Sequence, residues 1–529
     1  MPRDPDARSV QVSAARSAIR VGLTGITDDV DLVVIGLGVT GAGVALDAVS
    51  RGMKVLAVDA HDLAFGTSRW SSKLVHGGLR YLASGQFGVA HESAVERGIL
   101  MQTTAPHLTK PMGTLVPLTS RPPMIMRAGL LAGDVLRWAA GTSGDLLPAA
   151  RQISTAQAVA LAPALRREGL RSAMLGWDGQ LVDDARLVLT IARSAARLGA
   201  QIRTRARFTG IESGVVVLKD ELSGQTHRIA ARAVINAGGV WSGKVAELFP
   251  TAAPPIKLKP SRGSHLVLKP TPDHPLARQR VAVMVPVPGS TSRFTFVLPQ
   301  ADGTAYVGLT DEPTGDEIPE VPQASEVEVG FLLDVVSAAL QEPIRRQDVV
   351  GTFAGLRPLL DAAGETADLS RKHAVIDQQA QGLDLVTVVG GKLTTYRRMA
   401  QDALDILSMA EDFDRCSTAN LPLSGALPRE DLTQLRGPRR LIDRYGADHE
   451  EVLSSSGEVS GLSEAELLEP ISAGIPTTLA ELIYGVTHEG AHSVDDLLER
   501  RTRVALVPVD RVKAEASAQR ALTLCQRTG

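Results

Sequence analysis

Gly36, Gly38 and Gly41 stand in GxGxxG spacing within GLGVTG, and an acid, Asp59, follows about twenty residues later. That pattern suits a dinucleotide. Glycine permits a tight turn and lets the backbone approach a pyrophosphate, while the helix that follows offers unpaired N–H groups and a favourable dipole. An acid at the end of the second strand takes a ribose hydroxyl. The motif does not separate a nicotinamide from a flavin dinucleotide. A second segment, TSRWSSKLVHGGLRYL (residues 67–82), is rich in hydroxyls and carries Gly77 and Gly78. Such a segment can lie along an extended cofactor and bring side chains to its reactive ring, or it can be a surface loop; composition leaves both readings open. Two histidines, His76 and His265, stand beside glycines or serines. Imidazole titrates near neutral pH, so either can act as a general base, and the residues do not rank them.

A fold must place these groups. DLVVIG, from Asp31, is short, apolar and β-branched and ends in glycine, as a buried parallel strand does. VALDAVSRG reads as a helix and KVLAVDA as a second buried strand, which completes a βαβ unit. DARLVLTIARSAARLGA (residues 184–200) has helical spacing, QIRTRARFTGIE after it is strand-like, and RAVINAGG is a further strand ending in glycine. Between about residues 256 and 312, SHLVLKP, VAVMVPV, RFTFVLPQ and AYVGLTD are β-like runs punctuated by Pro and Gly. They predict a largely antiparallel layer. EVEVGFLLDVVSAALQ is helical, and beyond about residue 410 the chain turns helical and charged, with SSSGEVSG read as a loop. The predicted class is α/β. Residues 1–29 form an N-terminal extension, and order begins at Asp31. Residues 30–410 read as a Rossmann-type domain carrying a β-rich layer at about 256–330, and residues 411–529 read as a C-terminal helical domain.

Length and charge narrow the classes. At roughly 150 residues per domain, 529 residues suggest two to four units. A formal net charge of -3 lacks the basic footprint of a nucleic-acid binder, so no such partner is expected. Cys416 and Cys525 are the two cysteines and form no CxxC pair, which argues against a thiol redox centre or cysteine zinc site. No metal is expected, and the cysteine usage fits a reducing compartment. The first 29 residues contain no signal-peptide core, and no run of 18 apolar residues occurs. The expected location is cytoplasmic, with peripheral contact at the inner face of the cell membrane left open. RPPMIMRAGLLAGDVLRWAAG (residues 121–141) mixes Met, Leu, Ile and Trp138 with Arg121, Arg127 and Arg137. It suits a helix lying in a membrane interface or one packed on a core.

GLGVTGAGVALDAVSRG followed by SSKLVHGGLRYL closely resembles the FAD-dependent glycerol-3-phosphate dehydrogenase family, of the bacterial aerobic, quinone-linked type. Similar segments follow in order: WDGQLVDDARLV, VINAGGVWSG, RGSHLVL, VGLTDE, FAGLRPL and GGKLTTYRRMA. They cover about residues 30 to 400, and AELIYGVTHEGAHSVDDLLERRTR (residues 480–503) resembles the family's C-terminal domain more loosely. The resemblance implies that the β-rich layer at about 256–330 is part of a substrate domain interleaved with the Rossmann-type FAD-binding domain. It implies oxidation of sn-glycerol 3-phosphate to dihydroxyacetone phosphate, with hydride transfer to non-covalent FAD and electrons passed to a membrane quinone. It assigns FAD contacts to Gly36, Gly38, Thr40, Gly41 and Asp59, and along the loop to Thr67, Ser68, Ser71, Ser72, Lys73, Leu74, His76, Gly77 and Gly78. Phe208, Ala237, Gly238 and Trp241, and the turn Gly391, Lys392, Leu393 and Thr394, complete the cofactor set. Arg80, Arg357 and Lys392 would bind the substrate phosphate. Tyr81 would orient the substrate, and Thr310 would face the pocket. His265 or His76 would take the hydroxyl proton, and Arg357 would also steady the developing alkoxide. Asp59 stands where the family more often has Glu, and Trp70 where a small residue is expected. A homodimer is the expected assembly. Two other readings stay open: an oxygen-using flavin oxidase of the same fold, and a catalytically silent, membrane-bound flavoprotein module.

Overall fold

A computed structural model describes residues 19–78, 86–120, 124–251, 255–290, 293–315, 317–361, 373–380 and 382–526. Asp29–Ile35 is the central strand of a nine-stranded sheet. Leu32, Val33 and Val34 are fully buried because the sheet is covered on both faces. Its parallel neighbours run in the order Ile19–Val21, Gln201–Thr204, Val55–Val58, Asp29–Ile35, Thr226–Asn236 and Asp384–Val389. Ordered structure therefore starts before Asp31: Ile19–Val21 is an edge strand, paired in register with residues 202–204. Three residues are too few to show a period, and the partner lies far along the chain. QIRTRARFTGIE is two strands, Gln201–Thr204 and Ala206–Glu212, because Arg205 turns the chain at φ 56°.

The helices Val39–Ser50, Asp184–Arg197 and Tyr396–Asp405 pack together on this sheet and share one core with it. Gly43 permits the close crossing, since a Cβ there would stand 2.7 Å from the Tyr396 ring.

The second sheet has ten strands among the described residues. Ser261–Leu268 sits between Val349–Arg357 and Ala305–Gly308, and the sheet continues through Phe294–Pro299 and Ala282–Pro286. It then takes in Thr109–Leu118, Ser172–Leu181 and Leu74–Val75. The β-rich layer is therefore not confined to residues 256–330. Strands from the first third of the chain complete it, and prolines at 111 and 117 hide the alternation of one of them. The helix Glu326–Ser337 covers the far face, its start fixed by a capping box between Ser325 and Glu328.

Beyond residue 411, helices that include His449–Ser460, Leu479–Thr487 and Pro508–Gln526 build a separate core. SSSGEVSG is not a loop. It continues the helix His449–Ser460, which buries Val452 and Ser456 and ends at Gly461 in the left-handed region, φ 71°. Serine-rich composition hid the one apolar face. This domain docks through buried ion pairs. Asp62 accepts from Arg500 at 2.6 Å and from Arg501 at 2.6 and 2.9 Å. Arg186 meets Glu489 with both side chains fully buried.

Candidate functional site

Gly36 leaves the central strand at φ 97°, and Val39–Ser50 begins with Gly38 as its N-cap. A Cβ at Gly36 would stand 2.6 Å from the Ala237 carbonyl oxygen, and one at Gly41 would overlap the Gly36 carbonyl. Both positions hold the turn closed. Gly38 differs: the Ser68 hydroxyl, 3.0 Å from the site of a Cβ, is the sole neighbour within 4 Å among the described residues. Ser68 Oγ accepts the Val39 N–H at 2.9 Å, and half-buried Thr40 follows in the first helical turn. The Asp59 carboxylate accepts from the N–H groups of Leu37 and His61, both at 2.8 Å, tying the end of the second strand to the glycine turn. Burial moves its pKa upward against those two donors.

Opposite Gly36, the turn after Thr226–Asn236 is ordered by Asn236. Its side chain accepts from Gly238 N–H at 3.0 Å and donates to the Ser242 carbonyl at 2.8 Å. Ala237 and Gly238 therefore face the cradle. Trp241 closes over Gly66, where a Cβ would stand 2.9 Å from its ring. Phe208 is buried edge-on to Phe249 at 6.0 Å, which leaves its backbone as the part able to reach a ligand.

The loop from Thr67 to Lys73 crosses from this cradle to the second sheet. Thr67 Oγ1 donates to the Leu356 carbonyl at 2.6 Å, and Trp70 lies against Gly355, where a Cβ would stand 2.7 Å from its own. Ser71 donates N–H and O–H to Asp184 Oδ2, both at 2.8 Å. Ser72 Oγ lies 2.8 Å from His265 Nε2. Lys73, at φ 56°, turns its ammonium back to Asp184 at 3.2 Å, over the Phe353 ring at 4.5 Å. Burial, with the Arg503 cation, outweighs Asp184 and Asp183 and lowers its pKa to about 8. Leu74 then enters the sheet opposite Gln180.

Arg357 and His265 share the sheet face that this loop covers. In the ladder His265 faces Phe353 and Gly308, and its ring stacks on Phe353 at 4.5 Å. Gly308 makes room, since a Cβ there would overlap the imidazole. Arg357 folds over Gly263, two residues from His265 and so on the same face. Its Nη1 donates to Ser261 Oγ at 3.0 Å and pairs with Asp311 at 3.1 Å, and Nη2 donates to the Thr310 carbonyl at 3.0 Å. The expectation for Thr310 is corrected here. Its hydroxyl is buried between Ser264 N–H, 2.9 Å, and Glu328, 2.7 Å, so what it offers Arg357 is its carbonyl.

The turn at Gly390 and Gly391, both near φ 77°, presents Lys392, Leu393 and Thr394 at the start of Tyr396–Asp405. Lys392 Nζ donates to Ser93 Oγ at 2.6 Å. Gly77 N–H donates to Asp178 at 2.9 Å, and Asp178 also holds Arg97 at 2.5 Å, so WDGQL fixes the HGG turn. His76 and Gly78 are on this turn, with His76 half-buried. Arg80 and Tyr81 lie outside the described residues.

Residues 31–397 match the model of the FAD-dependent oxidoreductase family, and residues 416–528 match that of the C-terminal domain of alpha-glycerophosphate oxidase. Glycerol-3-phosphate dehydrogenase 1 of Mycobacterium tuberculosis is 46% identical, over 97% of this chain and 99% of its own. The chain belongs to the FAD-dependent glycerol-3-phosphate dehydrogenases. A Synechocystis glycerol-3-phosphate dehydrogenase is 32% identical over 91% of this chain and 90% of its own. The solved Bacillus halodurans glycerol-3-phosphate dehydrogenase complexed with FAD superposes with TM-score 0.69, at 26% identity, covering 94% of this chain and 92% of that one.

The residues of this dehydrogenase fit FAD. Gly38 leaves backbone N–H groups at a twelve-residue helix N-terminus open to close approach, and Asp59 stands at the neighbouring strand end. The dehydrogenase also uses residues that no local pattern singles out. Asp184 anchors Ser71 and Lys73, and Arg503, at φ 66°, reaches within 3.9 Å of Asp184 from the C-terminal domain. Their partners lie more than a hundred residues apart, so spacing carries no trace of them.

Proposed function

We propose that this dehydrogenase oxidises sn-glycerol 3-phosphate to dihydroxyacetone phosphate and passes the electrons to a membrane quinone. One observation carries the reading: the Arg357 guanidinium and the Ser72–His265 pair lie on one sheet face, under a loop whose other end meets the nucleotide cradle. FAD, when bound non-covalently, supplies the acceptor for the hydride from C2. Arg357 is the anion partner, its planar fork held in place by Ser261, Asp311 and Thr310. Arg80 and Lys392 would add charge at the phosphate, and Tyr81 would orient the carbon chain. The hydroxyl proton leaves toward the Ser72–His76 loop.

A membrane acceptor is supported by Leu131, Val135 and Trp138, which are 67%, 63% and 77% exposed on the helix Met124–Ala139. Their spacing of four and three residues sets them along one helix face. Among the described residues no helix is long and apolar enough to cross a membrane, so the contact would be peripheral.

The test is anaerobic mixing of the yellow protein with glycerol 3-phosphate, followed by flavin absorbance. Bleaching is expected with glycerol 3-phosphate, while glycerol, which lacks the anion, should give none at equal concentration. The colour should return with a soluble quinone and leave the polypeptide on acid precipitation. No bleaching would overturn the substrate. Recovery with oxygen, giving peroxide, but not with quinone would make the protein an oxidase.

A further inference from the structure

His265 is 1% exposed, covered by protein atoms alone. Phe353 stacks on its ring at an interplanar angle of 9°, and Gly308 lies against its Cδ2 edge. Nδ1 is buried with no hydrogen-bond partner among the described residues. A substrate hydroxyl therefore has no path to either ring nitrogen in this arrangement. Among the described residues the ring makes one polar contact, Nε2 with Ser72 Oγ at 2.8 Å, and Ser72 is only half-buried. Ser72 belongs to the same loop as Ser68, which meets the N-terminus of the cradle helix. Of the two residues, Ser72 is the one that keeps solvent exposure.

We infer that Ser72 is the catalytic group that takes the C2 hydroxyl proton, and that it hands its own proton to His265 Nε2 behind it. The inference rests on the glycerol 3-phosphate reading above. The substrate O–H bond breaks and its proton joins Ser72 Oγ as the Ser72 proton moves to Nε2. The electron pair of the C2–H bond leaves with the hydride to FAD, and the oxygen electrons form the C2=O bond. After product departs, the proton returns to water through Ser72. The acceptor can be weak, because a hydroxyl becomes steeply more acidic as hydride leaves its carbon.

Three charged groups face His265: Lys73 on the loop, Arg357 at the end of its strand, and Asp184 on the helix Asp184–Arg197. Burial, then Lys73 and Arg357, lower its pKa to about 3 against Asp184. The imidazole is therefore neutral throughout the working range and a weak acceptor, which suffices only as the hydride leaves. Asp184 is a positioning residue: its bonds to Ser71 and Lys73 flank Ser72 on both sides and set where the hydroxyl points.

The test combines stopped-flow anaerobic FAD reduction at saturating glycerol 3-phosphate with FAD content and dihydroxyacetone phosphate titration. Ser72→Ala is expected to slow reduction by about two to four decades, the size of a lost acid–base contribution. Product affinity should stay near the parent value, and the rate is taken per bound FAD because the family resemblance also sets Ser72 beside the cofactor. Ser72→Thr, which keeps the hydroxyl, should recover most of the rate. Ser72→Ala with His265→Gln should be no slower than Ser72→Ala alone, because both cut one relay. The parent rate should stay level from about pH 7.5 to 5.5, whereas a base of ordinary histidine pKa would lose roughly tenfold. Reduction of Ser72→Ala at the parent rate, additive losses in the double variant, or a parent rate falling through pH 6.5 would each overturn the relay, the last in favour of His76. If Ser72→Ala cannot hold FAD, the parent pH profile and Ser72→Thr decide. A parent protein that glycerol 3-phosphate fails to bleach defeats the substrate reading instead.

Discussion

Gly38→Val is expected to give folded protein without colour, and Gly41→Val protein whose cradle itself fails. Gly38 has φ -74°, ordinary for any residue, and among the described residues a Cβ there meets only the movable Ser68 hydroxyl. The valine would fold and then stand where the backbone must meet a pyrophosphate. Losing two charge-assisted N–H bonds at about 1.5–3 kcal/mol each lowers FAD affinity by roughly two to four decades. Gly41 is another case, because its Cβ would overlap the Gly36 carbonyl, a main-chain atom that cannot step aside. The strand-to-helix turn must open, at the expense of the core beneath it. FAD-to-protein ratio and melting temperature, measured together, separate the two. Full flavin occupancy in Gly38→Val would remove the pyrophosphate from this turn, and an unchanged melting temperature in Gly41→Val would contradict the close approach.

Glu489→Ala is expected to cost about 3–5 kcal/mol and to loosen the C-terminal domain, the range for a buried charge stripped of its partner. Glu489 and Arg186 are both fully buried, and Arg186 Nη2 also donates to the Arg501 carbonyl at 3.1 Å. Removing the acid strands a guanidinium in the interface. Replacing both members, Arg186→Met with Glu489→Leu, should cost far less, since no charge is then left unpaired. Denaturant unfolding and limited proteolysis of residues 411–529 would measure this. A double variant that loses more than Glu489→Ala alone would mean that the stranded charge is not what the single variant costs.

Acid should act on the same interface in two stages. Burial lowers the pKa of His107 to about 4, against an unfolded value of about 6.5. A depressed histidine contributes stability that is fully present above about pH 6.5 and is lost as pH falls toward 4. Burial opposes ionisation of Asp62, but Arg501 and Arg500 outweigh it and hold its pKa well below the usual carboxylate range. Its contribution is present above about pH 4 and lost below that. Unfolding free energy should therefore begin to fall near pH 6.5 and steepen below 4, and His107→Leu should reduce the first stage and leave the part due to His265, whose pKa is lowered to about 3. A parent curve level down to pH 4.5 would contradict this account.

The sequence by itself determined the features that short-range physics writes into neighbouring residues. GLGVTG after DLVVIG is a strand, a turn and a helix start, because only glycine suits φ 97° at Gly36 and the close approach at Gly41. The ordered series of family-like segments identified the cofactor and the reaction class, since each motif is itself local. What the tertiary structure decided was which groups meet. The second sheet joins strands from residues 74–75 to 349–357, and that pairing, rather than any spacing, sets His265 behind Ser72 and folds Arg357 over Gly263. Thr310 matched a motif yet spends its hydroxyl on Ser264 and Glu328. Asp184 and Arg503 lie inside quoted segments yet received no role, because a buried charge is recognisable only by the partner that neutralises it, and theirs arrive from distant segments.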